Sequence, residues 1–119
     1  MQMNGQRLHE HYLNELVRHL EIIGEDWDGI DWIMKEGLWL KDKSKTMKSL
    51  CDLIIIYYGG IGVPIELKGN HSKRPKALRQ LMAGKDFIET EIGLLAPYGK
   101  FVVYDNGQYD VEVIDYDQH

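Results

Sequence analysis

The sequence predicts an α/β domain in which a mixed central sheet is flanked by helices. Three observations predict it. Apolar residues recur at helical spacing in two separate stretches, 6–24 and 73–92. A largely apolar, β-branched run, LCDLIIIYY at 50–58, lies between them. Near the end, Asp105-Asn106-Gly107 separates two strand-like stretches, a strong hairpin signal.

Taken in order, residues 6–24 place Leu13, Leu16, Val17, Leu20 and Ile23 on one helical stripe, with Asn4 as N-cap and Gly24 as stop. Residues 25–34, EDWDGIDWIM, read as a loop or a short helix, and 36–41, EGLWLK, as a short strand. The polar, basic KDKSKTMK that follows has no periodicity and reads as an exposed loop. The run at 50–58 is a buried strand. Gly59-Gly60-Ile61-Gly62 turns the chain, and 63–68, VPIELK, returns as its partner, with Pro64 indicating an edge or a strand start. The second helix, 73–92, has Ser72 as N-cap, Pro75 in its first turn and a stripe of Leu78, Leu81, Met82, Ile88 and Ile92. Gly84 inside it costs about 1 kcal/mol relative to Ala, so a close approach is expected there. Strands at 100–104 and 109–115 complete the order α–(β)–β–β–α–β–β.

At 119 residues, the chain has the length of one domain, 1–119. With 44% hydrophobic and 28% charged residues, disordered, collagen-like and coiled-coil classes are excluded. The longest uncharged run, 53–65, is too short and too Gly-rich to span a bilayer, and the first ten residues contain no apolar run of a secretory signal. The single Cys51 fits a reducing cytoplasm. The net charge of −5 is segregated: residues 41–85 hold ten Lys/Arg against three acids, and no base follows Lys100. Such a central basic stretch can bind a polyanion despite the negative total.

The chemistry is expected at Asp52, Glu66 and Lys68. Strand side chains alternate, so Glu66 and Lys68 share a face and Leu67 points to the other. If the two strands pair through the Gly59–Gly62 turn, the start of one lies beside the end of the other. Two carboxylates then meet one ammonium. Carboxylates at close range repel and need a cation, and hard oxygen ligands suit Mg²⁺. Most acid-x-Lys pairs on strands are solvated cross-strand charge pairs. Here the preceding Asp on an apolar strand, the hairpin spacing and the basic helix that follows favour a site.

Asp52 followed by Glu66-Leu67-Lys68 resembles the PD-(D/E)xK nuclease superfamily, whose pattern is an Asp on one strand and D/E-x-K on the next. The family core, a restriction-endonuclease-like α-β-β-β-α-β arrangement, agrees with the predicted order over most of the chain. Cys51 stands where the motif name has Pro, a position commonly varied in the superfamily. The closing GKFVVYDNGQYDVEVID looks like small phage-borne members. The resemblance implies a Mg²⁺-dependent nuclease that hydrolyses DNA phosphodiesters, with Mn²⁺ able to substitute. Asp52, Glu66 and the Leu67 carbonyl would hold the ion, and Lys68 would position the attacking water. The family often adds an acid on the first helix. Glu10 and Glu15 compete for that place, and Glu10, three residues before Leu13, is preferred. Gln80, beside Ala77 and Gly84, would orient Lys68 or the phosphate. A Holliday-junction resolvase is the most concrete version: branched DNA as partner, two active sites and hence a homodimer, no membrane, and the cytoplasm (the host's, if phage-encoded).

Lys73, Arg74, Lys76 and Arg79 would track phosphates beside the ion, with His71 in the preceding loop. His9 and His11 are two apart on a helix and do not face one another, which disfavours a zinc site with His19. Trp27, Trp32 and Trp39 are expected in core packing rather than base stacking. Cys51 is expected to be a small buried residue. The rival function is a non-catalytic nucleic-acid-binding or protein-interaction module on the same fold.

Overall fold

A computed structural model describes residues 5–35 and 50–116 of the chain. Helix α1 spans Gly5–Arg18, and a 3₁₀ turn at Leu20–Ile23 follows it. Strands β1 (Ile30–Lys35), β2 (Leu53–Tyr57) and β3 (Gly62–Lys68) precede helix α2 (Arg74–Phe87), which widens into one π turn at Ile88–Ile92. Strands β4 (Tyr98–Asp105) and β5 (Gln108–Asp115) close the order. The five strands form one mixed sheet in the order β1-β2-β3-β4-β5. Among the described strands only the neighbours β3 and β4 run parallel, because α2 carries the chain back between them. The other neighbours are antiparallel.

Among the described residues, one α-helix covers each face. Leu13, Leu16 and Leu20 of the α1 side pack on Leu53, Ile55, Ile65 and Leu67. Ala77, Leu81 and Ile88 pack on Cys51, Ile54, Phe101 and Val103. Each such fully buried Leu or Ile contributes about 1.5–3 kcal/mol relative to exposure. The alternation in β3 is therefore real: Val63, Ile65 and Leu67 face α1, which leaves Pro64, Glu66 and Lys68 on the α2 side.

Several expectations are corrected. The first helix ends at Arg18, and His19 breaks it before the 3₁₀ turn that Gly24 terminates with φ 73°. Residues 25–34 hold a 3₁₀ turn, Trp27–Gly29, and then strand β1. Pro64 lies neither at an edge nor at a strand start: β3 is the central strand. The parallel ladder to β4 opens only at Ile65 against Lys100, one residue past the proline. Asn70, not Ser72, caps the turn before α2, its side chain accepting from the Ser72 amide at 2.8 Å. Met82 is exposed, and Ala77, Leu81 and Gly84 form the buried face of α2. Trp27, in the 3₁₀ turn before β1, is 50% exposed, and Trp32 is 63% exposed because β1 is the outermost of the described strands on its side. Asn4, the strand expected at 36–41, the loop at 41–48 and Trp39 lie outside the described residues.

Two local expectations hold. A Cβ on Gly84 would stand 2.6 Å from Cys51 Sγ and 2.9 Å from Pro64 Cβ, so the helix approaches the sheet there as only glycine permits. Asn106 and Gly107 take φ of 49° and 79°, the mirror-image turn that matches the twist of β4 and β5.

Candidate functional site

The hairpin β2–β3 brings the start of one strand beside the end of the other, with Leu53 opposite Ile65. One residue earlier, Asp52 stands on an irregular, buried approach to β2. Its amide donates to Glu66 Oε1 at 2.9 Å. Its own Oδ2 accepts from the Leu67 amide at 2.8 Å. Asp52 and Glu66-Leu67 are thus cross-linked by two buried backbone-to-carboxylate bonds. Asp52 is 4% and Glu66 1% exposed, which is rare for carboxylates and requires such partners. Lys68 Nζ lies 3.0 Å from Glu66 Oε2 and is half-buried.

Helix α1 adds the residue that the sequence reading missed. His9 Nε2 is 3.1 Å from Asp52 Oδ2 and 3.0 Å from the Leu67 carbonyl oxygen. Both partners are acceptors, so Nε2 carries the proton and donates between them. Glu10, the preferred helix acid, is exposed, and Glu15 pairs with Arg18 at 2.9 Å. The signal for His9 was present: positions 9, 13, 16 and 20 continue one helical stripe, whereas Glu10 is turned about 100° away.

The electrostatics follow from burial. Burial, and then the neighbouring Asp52 charge, push the Glu66 carboxyl up to about 8, against the opposing pull of Lys68. The hydrogen bond to Asp52 raises the His9 imidazole above its usual value, although burial opposes it. Burial and the two carboxylates push the Cys51 thiol up, which disfavours the thiolate, and the side chain is buried in the core beneath α2.

Two further sets of contacts hold α1 so that His9 reaches the sheet. Near its middle, Tyr12 stacks on Tyr104 with ring centres 4.4 Å apart, and Tyr109 packs edge-on at 5.8 Å. Beyond its C-terminal end, buried Glu25 pairs with Lys100 and accepts from the Tyr57 and Tyr98 hydroxyls. Lys100 also donates to the Ile23 carbonyl. This second buried charge pair, at the far end of the sheet, was likewise not expected from the sequence.

Gln80 lies half-buried on α2, on the flank of Ala77 and Gly84, with its Oε1 shielded from solvent. Lys73, Lys76 and Arg79 are exposed. Arg74 and His71 are exposed too, but engaged: Arg74 with Glu112, and His71 with Asp110. Among the described residues, no three His, Cys, Asp or Glu side chains converge into a ready-made metal site. No helix among them is long and apolar enough to cross a membrane. Comparison with protein-family models, with curated proteins and with solved structures finds no match.

Proposed function

We propose that this chain is a divalent-metal-dependent nuclease of the PD-(D/E)xK type, on a restriction-endonuclease-like α-β-β-β-α-β core. One observation carries the reading: the two buried bonds that hold Asp52 against Glu66-Leu67, beside Lys68. The order α1-β1-β2-β3-α2-β4, with Asp52 at the start of β2 and Glu66-Leu67-Lys68 at the end of β3, supports it.

The residues present fit a hard cation. His9 and the Leu67 amide engage Asp52 through Oδ2, and His9 takes one lone pair of the Leu67 carbonyl, which leaves Asp52 Oδ1 and the second carbonyl lone pair as oxygen donors. Glu66 is raised because it lies buried beside a like charge, the condition that a cation relieves. Asp52, Glu66 and the Leu67 carbonyl would hold Mg²⁺ or Mn²⁺, which take oxygen donors and keep several waters. When bound, such an ion polarises a phosphoryl oxygen and promotes ionisation of water. The chain's own groups do the rest. Lys68 Nζ donates to the attacking water or to phosphate oxygens as charge develops there. The Asp52 and Leu67 amides keep the carboxylates from reorienting. His9 fixes Asp52 and the Leu67 carbonyl relative to one another, and Gln80 orients Lys68 or the phosphate.

Lys73, Lys76 and Arg79 supply backbone contacts to DNA, paired cuts in a branched substrate would require a homodimer, and the place of action would be the cytoplasm. The test is cleavage of linear duplex, single strand, flap and four-way junction in Mg²⁺ and in EDTA. Metal-dependent cleavage of any of them is expected. Binding without cleavage of any would reassign the chain to a non-catalytic binding module.

A further inference from the structure

Strand β5 lies at the end of the sheet nearest the start of α2, and it is acidic on the side that faces the helix. Asp110 Oδ2 is 2.9 Å from His71 Nε2. Glu112 takes a two-pronged contact from Arg74, Nε to Oε1 at 2.9 Å and Nη2 to Oε2 at 2.7 Å. Parallel N–H bonds from one guanidinium to two oxygens of one anion are how arginine grips carboxylate and phosphate alike. The Arg74 guanidinium also holds the Glu112 carboxyl below its usual range. Asp110 and Glu112 are two apart on a strand, hence about 6.8 Å apart. That is comparable with neighbouring phosphates along one nucleic-acid strand. The adjacent Lys73, Lys76 and Arg79 remain exposed.

We propose that Asp110 and Glu112 act as internal phosphate mimics, occupying at His71 and Arg74 the seats of two consecutive backbone phosphates, which nucleic acid must displace. The inference rests on the nucleic-acid reading above and adds a regulation to it. Exposed ion pairs are weak, so a strand that brings several phosphates can replace them. An isolated anion gains little by doing so. The acids therefore suppress non-specific contact and favour a polyanion already engaged by Lys73, Lys76 and Arg79.

The test is equilibrium binding of a labelled DNA duplex in EDTA, read by fluorescence anisotropy at several salt concentrations. Asp110→Asn with Glu112→Gln should bind about fivefold tighter than wild type. Its salt slope should steepen by about 0.9 for the further phosphate that the freed Arg74 guanidinium neutralises. Asp26→Asn with Asp28→Asn makes the same charge change beside β1, the described strand farthest from β5, and should shift affinity less than about twofold. In an Arg74→Ala background, Glu112→Gln should no longer tighten binding. Equal tightening by the remote pair, tightening that survives loss of Arg74, unchanged affinity, or no DNA binding by any variant each overturns the proposal. Cleavage in Mg²⁺ is scored separately. Tightening without cleavage sinks the nuclease reading and leaves this proposal standing, and cleavage without tightening does the reverse.

Discussion

His9 and Asp52 are 43 positions apart in the chain, and the fold joins them through Nε2 and Oδ2 at 3.1 Å. The same N–H reaches the Leu67 carbonyl oxygen at 3.0 Å. One donor from α1 therefore ties together Asp52 and Leu67, two of the residues proposed to hold the cation, at the rim where β2 starts and β3 ends.

His9→Ala should leave the circular dichroism spectrum native, because α1 is also held by Tyr12 on Tyr104. It should weaken Mn²⁺ binding about tenfold or more, the usual cost of losing a group that orients metal ligands. Calorimetric titration of Mn²⁺ measures this. An unchanged affinity would reduce His9 to a packing contact.

Lys68→Ala should abolish cleavage while folding and DNA binding persist. Its ammonium contributes where charge develops, in the transition state. Asp52→Asn should abolish cleavage through loss of metal, so excess Mn²⁺ should restore more activity to it than to Lys68→Ala. Wild-type cleavage by Lys68→Ala would show that Lys68 and Glu66 form a structural charge pair.

Stability of the metal-free protein should depend on Glu66. Its folded pKa, about 8, lies above the ordinary Glu value of 4.5, so the folded chain holds the proton more tightly. The contribution is fully present below about 4.5 and is lost as pH rises through about 8. Urea midpoints in EDTA should fall across that window. Glu66→Gln should flatten the dependence, and an equally steep fall in the variant would place its cause elsewhere.

Gly84→Ala should destabilise the fold by about 1–3 kcal/mol, although an exposed helix site would gain about 1 kcal/mol from the same change. The new Cβ would stand 2.6 Å from Cys51 Sγ and 2.9 Å from Pro64 Cβ, and the proline ring has little room to yield. Thermal unfolding reads the loss. It should shrink in a Cys51→Ala background, where the sulfur is gone, and a raised melting temperature for Gly84→Ala would refute the close approach.

Much of the fold was legible because it rests on short-range rules. The stripe from Leu13 to Ile23, the β-branched run before Tyr58 and the Asn106-Gly107 turn each declare themselves locally. Strand β1 was not legible. Its IDWIMK carries Trp32 outward and Lys35 toward Asn14 of α1, so burial imposes no clean alternation on an outer strand. Pro64 argued for an edge and sits in the centre, because chain order cannot say where a ladder to a later strand begins.

By itself, the sequence determined which side chains share a face. Glu66 and Lys68 fall on one side of β3 and Leu67 on the other, since the strand period is fixed by backbone geometry. It also determined that Asp52 meets the end of β3, since a short glycine turn leaves the hairpin few registers. Only the tertiary structure decided which residue of α1 completes the cluster. His9 and Glu10 differ by one step of rotation, and the choice depends on how α1 is seated on the sheet. That seating comes from contacts between distant parts of the chain, Tyr12 with Tyr104 and Glu25 with Lys100. The same holds for β5: the pairing of Glu112 with Arg74 spans 38 positions and exists only because β4 carries β5 to the side of α2.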